Sequence, residues 1–291
     1  MGGPATLVID DSRSSHIEVV GLFEQAKSLL SQLEAQYSRY QPNSIISKIN
    51  RRAGTGIFTE LDTATKALFD MADQLWQVSD GLFDITSGPL RAAWNFQDGG
   101  HARPERVELA LTLVGWDRID WHGESLHLPE KGMEVDLGGL AKEYAVDCVI
   151  RLLREAAVTS ALVELAGDAA VIGTQGSGDP WKIGITNPMG PEPLHTIDLI
   201  DGAIATSGNY ARELIYKGRS YGHLLDPRTG WPVEGPVSVT VIDRRCLTAG
   251  AMTTVACLKP EVAATHWLEQ SELPWLMVNA QGAVSGPIAT S

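Results

Sequence analysis

The sequence predicts an α+β fold, with mixed or antiparallel sheets and packed helices. Three observations point there. Helical stretches with one apolar face lie toward both ends of the chain. Short apolar runs split by Gly, Asp and Pro crowd the centre. The two kinds intermix without the regular strand–helix alternation of a doubly wound sheet. With 291 residues, 44% of them hydrophobic and 20% charged, the chain can bury an ordinary core. No linker stands out, so residues 1–291 read as one domain.

Each element follows from its local pattern. Residues 5–10 (ATLVID) read as a strand. From position 16 to about 37, apolar residues recur at Ile17, Val20, Phe23, Leu29, Leu30, Leu33 and Tyr37, one face of a helix. Pro42 and Asn43 then favour a turn. A second helix is expected over about 63–78, ahead of Asp80-Gly81. The Pro-, Gly- and Asp-bearing stretch 88–105 reads as a long surface loop. A helix over about 140–155 precedes short strands at 161–165, 169–174 and 181–186. Further strands are expected at 203–206 and 236–243, then helices over 249–258 and 260–270, and a last strand at 274–279.

Composition removes several function classes. The formal net charge of −13 repels phosphate backbones and anionic lipid, so nucleic acid is not an expected partner. No run of about 20 apolar residues exists, so no transmembrane segment is expected. The start, MGGPATLVIDD, lacks a basic region followed by an apolar one. That predicts a cytoplasmic protein, with a periplasmic protein whose export signal has been removed as the alternative. Cys148, Cys246 and Cys257 lie singly in apolar runs and read as buried free thiols. Neither a zinc-binding His/Cys spacing nor a G-x-S-x-G nucleophile elbow is present.

Five segments could carry chemistry. In GHLLDPRTG (222–230), Pro227 and Gly230 fix a tight turn whose amides could converge on phosphate oxygens, beside His223, which can exchange a proton near neutral pH. The bland reading is a well-made surface turn. In EVDLGGLAKEYAVD (134–147), Asp136 leads through Gly138-Gly139 into a helix start that favours anions, with Lys142 placed to fold over a phosphate. In AIATSGNYAR (203–212), Thr206, Ser207 and Gly208 make a polar turn. In GLFDITSGPL (81–90), Asp84 is either a turn cap or a catalytic acid. In YSRYQPNSIISKIN (37–50), Tyr40 could stack on an aromatic ring, although taken alone it reads as a core aromatic.

In order, these segments resemble the blocks of the ApbE-type FAD:protein FMN transferases. The S-x-Y-x-P-x-S-x-x-S-x-x-N block is matched by Ser38, Tyr40, Pro42, Ser44, Ser47 and Asn50. G-x-FD-x-T is matched by Gly81, Phe83, Asp84 and Thr86. DLGG-x-AKG is matched from Asp136 to Lys142, and TSGDY by Thr206 to Tyr210 apart from Asn209. H-x-x-DPRTG is matched by His223 and Asp226 to Gly230, and the late AD-x-x-x-T block in part, by Ala249 and Thr254.

The resemblance implies an ApbE-like, T-fold-related architecture. It also implies an enzyme that moves FMN from FAD to a Thr or Ser hydroxyl of a target flavoprotein acceptor, releases AMP and uses Mg²⁺. The implied contacts to FAD are Met1, Tyr40, Leu82, Phe83, Asp84, Asp136, Lys142, Thr206, Ser207, Leu225 and Asp226. His223 is the candidate for proton transfer, with Asp84 as its rival. The implied metal positions are Gly139, Gly250, Thr253 and Thr254. Departures stand beside the matches. Gly250 occupies the place of the family's metal-binding Asp, which should weaken a hard-cation site. Glu143 replaces a Gly, Ala166 the first Gly of a GGD-like segment, and Asn209 an Asp. FAD pyrophosphate hydrolysis, or a flavin-binding protein with a weakened metal site, are the alternatives.

Overall fold

The computed structural model, which describes residues 3–10, 16–96, 101–210 and 213–290, is built round an antiparallel sheet. Its strands, in chain order, begin with β1 (Ala5–Ile9), followed by the short β2 (Thr59–Glu60), β3 (Trp94–Asn95), β4 (His101–Ala102), β5 (Asp120–His122) and β6 (Ser125–His127). The central strands are β7 (Ala161–Leu165), β8 (Asp168–Ile172), β9 (Trp181–Ile185), β10 (His195–Leu199) and β11 (Gly202–Gly208). Then come β12 (Glu213–Tyr216), β13 (Arg219–Gly222), β14 (Ser238–Asp243), β15 (Trp275–Val278) and β16 (Val284–Ser285). The helices are α1 (His16–Tyr37), α2 (Ile45–Arg51), α3 (Thr63–Val78), α4 (Val107–Leu111), α5 (Ala141–Glu155), α6 (Cys246–Leu258) and α7 (Glu261–Gln270).

The main sheet runs β1-β7-β8-β11-β14-β15-β16. Register is fixed by burial on both faces, because a slip of one residue would turn every side chain over. α5 and α6 lie across β7, β8, β11 and β14 on one face. On the other, Trp181 of β9 and Leu199 of β10 cover Val171 of β8. With both faces covered, β8 and β15 read as apolar runs rather than as alternations. α6 (CLTAGAMTTVACL) is apolar nearly all round and correspondingly buried.

The two long N-terminal helices form where the sequence places them. α1 spans the expected residues, but its core stripe is Leu22, Ala26, Leu33 and Tyr37, while Val20 and Phe23 are exposed. α3 is started by Asp62, whose carboxylate accepts from the Thr65 amide at 2.7 Å. Such a cap contributes about 1 kcal/mol. That hydrogen bond, opposed by partial burial, holds the Asp62 carboxyl below its ordinary range.

Other expectations change. The stretch 88–105 is not a featureless surface loop. Gly88, Pro89 and Leu90 form a buried 3₁₀ turn, and Trp94 of β3 is buried with its indole donating to the Gly230 carbonyl at 2.7 Å. α2, capped by Ser44, and the β12–β13 hairpin were not expected. The hairpin closes through Lys217 and Gly218, both at positive φ as a two-residue turn requires. The three cysteines are free and buried. No helix is long and apolar enough to cross a membrane among the described residues.

Candidate active site

β11, α5 and α6 meet where the sheet delivers its polar ends. β11 is apolar until Ala205 and then presents Thr206 and Ser207. Thr206 donates its amide to Asp168 Oδ1 at 2.9 Å, and its hydroxyl lies 2.8 Å from that of Thr240. Ser207 Oγ stands 2.9 Å from Thr253 Oγ1 and 3.2 Å from Thr254 Oγ1, both on α6. A Cβ placed on Gly139 would sit 3.8 Å from the Thr254 methyl and 3.2 Å from the Phe83 ring. The predicted residues Gly139, Thr206, Ser207, Thr253 and Thr254 therefore come together.

Lys142, the second residue of α5, closes this group. Its ammonium is ion-paired with Asp168, which is 2% exposed, and lies 3.2 Å from Glu143 Oε1. On its other side Lys142 lines a cavity of about 600 Å³ between α1, α5 and the β1–β7 edge, with Phe23, Leu30, Val149 and Leu165 among its walls. That volume is in the range of small-molecule sites, with apolar walls beside the charged groups of Lys27, Glu34 and Lys142.

α5 and α6 are pinned together by Asp147, which accepts from the amides of Cys246 and Leu247 at 2.8 and 3.0 Å. It thus caps a helix whose own N-cap residue, Arg245, supplies no side-chain bond. Burial pushes the Asp147 carboxyl up against those two hydrogen bonds.

The replacement pair noted in the sequence proves to be one contact. A Cβ on Gly250 would overlap Glu143 Cγ and fall 3.1 and 3.2 Å from its Cδ and Oε1. Glu143 fills the space that a longer residue at 250 would need. It is 5% exposed, and its Oε2 is buried without a hydrogen-bond partner among the described residues. Although no cluster of three or more His, Cys, Asp or Glu occurs among the described residues, a hard cation fits the chemistry present: a carboxylate oxygen lacking a donor, hydroxyls and a close-packed glycine turn.

The remaining predicted residues lie around this centre. Tyr40 is not in the core. It is 69% exposed, with the Arg39 guanidinium 4.7 Å over its ring. Asp136 is ion-paired with Arg39 and, at 3.3 Å, with Arg91, and it accepts from the Gly138 amide at 3.1 Å. It holds the turn that delivers Gly139. Leu82 and Phe83 are buried, and Leu225 packs beside the Trp94 cluster. Asp84 behaves as a turn cap. It accepts from the Thr86 amide and hydroxyl at 2.7 and 2.6 Å and from the Trp116 amide at 3.1 Å. Burial still pushes its carboxyl above the ordinary range.

In the 222–230 turn, the amides of residues 228–230 are spent internally and are not free to cradle a phosphate. Those of Thr229 and Gly230 donate to the Asp226 carbonyl, and that of Arg228 to the Asp226 carboxylate. Burial raises the Asp226 carboxyl, but bonds from Arg228 outweigh it and hold the group below its usual range. Half-buried His223 sits at the end of β13, tied to the end of β11 through Asn209, whose Oδ1 accepts from the Leu224 amide at 3.1 Å. Met1 lies outside the described residues. Arg39, Arg91, Asp147 and Asp168 were missed as functional residues. Only Asp168 carried a signal, in its Ala166-Gly167-Asp168 turn.

A model of the ApbE family matches residues 1–277. The FAD:protein FMN transferase of Vibrio cholerae is 31% identical over 279 residues, covering 93% of this chain and 80% of that protein. The Chlamydia pneumoniae protein of the same name is 30% identical over 265 residues, covering 88% and 82%. Among solved structures, the ApbE protein of Thermotoga maritima superposes with a TM-score of 0.86 at 29% identity, covering 98% of this chain and 94% of that one. The flavinyl transferase ApbE of Pseudomonas stutzeri, in its apo form, gives 0.85 at 28%, covering 100% and 93%.

Proposed function

This chain belongs to the ApbE family, and on that premise we propose that it is an FAD:protein FMN transferase. It moves FMN from FAD to a Thr or Ser hydroxyl of a flavoprotein and releases AMP, with Mg²⁺ as the metal. The observation that carries this reading is the position of Lys142. Its ammonium stands between an apolar cavity and the hydroxyl-bearing ends of β11 and α6. A dinucleotide with one half in the cavity would bring its pyrophosphate to that charge.

The chain's own residues divide the work. Lys142, oriented by Asp168, attracts the phosphates. Ser207, Thr206 and the Gly138-Gly139 turn supply short polar contacts that fix the diphosphate for in-line attack. Tyr40, exposed beside Arg39, offers a stacking face for a ring system. His223 takes the proton from the acceptor hydroxyl. Asp84, its oxygens committed to Thr86 and Trp116, shapes the site and leaves that task to His223. The Gly139 carbonyl and the hydroxyls of Thr253 and Thr254 would hold a Mg²⁺ ion, which neutralises phosphate charge when bound.

The test is incubation with FAD, Mg²⁺ and a flavoprotein acceptor. AMP release coupled to covalent flavin on the acceptor is expected, and His223→Asn should lower that rate by about 10²–10⁴-fold. AMP without labelling would indicate hydrolysis. Intact bound FAD with neither product would indicate a flavin carrier, and either result refutes transfer.

A further inference from the structure

We infer that Glu143 supplies the anionic ligand of a divalent-cation site at the α5–α6 contact, a carboxylate delivered from the helix opposite position 250. The inference rests on the flavin-transfer reading above.

Three observations converge on it. The first is the unanswered oxygen. Around Lys142, Asp168 Oδ1 has the Thr206 amide, Asp168 Oδ2 has the ammonium, and Glu143 Oε1 lies 3.2 Å from that ammonium. Glu143 Oε2 alone has no donor among the described residues, though it is buried. A buried carboxylate oxygen without a partner is disfavoured unless something positive meets it.

The second is placement. The space beside Gly250 is filled by the Glu143 side chain, so the carboxylate occupies the volume into which a residue at 250 would project. Gly250 and Thr254 are one helical turn apart and share a face of α6. Glu143 therefore lies along the face that carries Thr254, whose methyl a Cβ on Gly139 would approach at 3.8 Å. Carboxylate, hydroxyl and backbone carbonyl are the ligand types that Mg²⁺ or Mn²⁺ combines with substrate phosphate oxygens.

The third is charge. Two buried carboxyl groups, Glu143 and Asp168, face one ammonium, Lys142. One carboxylate in excess favours a cation over an empty site. Gly250 and Glu143 then make a reciprocal exchange, the side chain lost from α6 being restored from α5.

The test is Mn²⁺ titration of the full chain, followed by the electron paramagnetic resonance signal of the free ion, without and with FAD. Flavin fluorescence quenching in metal-free samples reports FAD binding separately. Glu143→Gln should weaken Mn²⁺ binding by about tenfold or more, since even outer-sphere changes alter metal affinity by that much. The double variant Glu143→Gly/Gly250→Asp should regain it. Equal affinity in wild type and Glu143→Gln overturns the inference. So does a wild-type chain that binds FAD but not Mn²⁺ in either condition, which leaves the flavin reading standing. A chain that binds neither overturns both. If circular dichroism shows Glu143→Gln unfolded, the double variant decides: regained binding supports the assignment, and a folded variant without Mn²⁺ binding overturns it.

Discussion

Replacing Gly250 with alanine tests the Glu143 contact through stability alone. In an exposed helix, Gly→Ala gains about 1 kcal/mol. At 250 the added methyl overlaps Glu143 Cγ and approaches Cδ and Oε1 at 3.1 and 3.2 Å. Glu143 cannot swing into water, because it is 5% exposed and its carboxylate lies 3.2 Å from the Lys142 ammonium. Overpacking of this kind costs about 1–3 kcal/mol. Set against the helix gain, the net effect is a destabilisation of about 0–2 kcal/mol. In a Glu143→Ala background the overlap is gone, and Gly250→Ala should instead stabilise by about 1 kcal/mol. Urea unfolding of the four proteins, followed by far-ultraviolet circular dichroism, gives the cycle. A coupling of about 1–3 kcal/mol at unchanged m is expected. If Gly250→Ala stabilises both backgrounds equally, the two residues do not compete for one volume and the reasoning fails.

Three further outcomes follow from the same geometry. Lys142→Met leaves Asp168 buried without its cation and should destabilise by about 3–5 kcal/mol; a change under about 1 kcal/mol in urea would contradict the ion pair's role. Burial raises the folded carboxyl of Asp84, so its contribution to stability is full below the unfolded value near pH ~4 and is lost as pH rises through the folded one. The stability gap between wild type and Asp84→Asn should therefore shrink from about pH 4 toward neutrality, on top of about 1–3 kcal/mol for an amide facing the Trp116 N–H; a gap that widens with pH would refute the assignment. Tyr40→Ala should alter stability by less than about 0.5 kcal/mol, since the ring is exposed, yet weaken FAD binding by about 2- to 10-fold in a fluorescence titration. Unchanged affinity removes Tyr40 from the site.

Much of the fold was legible because its signals are local. α1 and α3 carry clear apolar spacing and fall where the pattern puts them, and β14 alternates as expected. The β12–β13 hairpin escaped notice because ELIYKGRSYG mixes charges into both strands and leaves only its turn as a cue. The buried turn at 88–90 escaped for the opposite reason. Pro and Gly advertise a loop, and nothing local says that Trp94 will reach the Gly230 carbonyl from 136 residues away. The same holds at the site. Ordered motifs named Lys142, Ser207 and Thr254, whereas the Asp147 cap and the Glu143–Gly250 contact join segments far apart in the chain. Each departure from the family pattern reads singly as a defect, and only the juxtaposition of α5 and α6 shows two of them to be one substitution in space.

The thiols of α6 turn that helix into its own reporter. Cys246 and Cys257 stand at its two ends, both buried. Burial drives the Cys257 thiol up to about 12 and the Cys246 thiol well above its ordinary value. An alkylating reagent consumes thiolate, so neither sulfur can react at appreciable speed while the helix stays seated against β11 and β14. The rate of modification in solution then times the detachment of the segment bearing Thr253 and Thr254. Any ligand that clamps those hydroxyls should slow the chemistry at sulfurs it never touches.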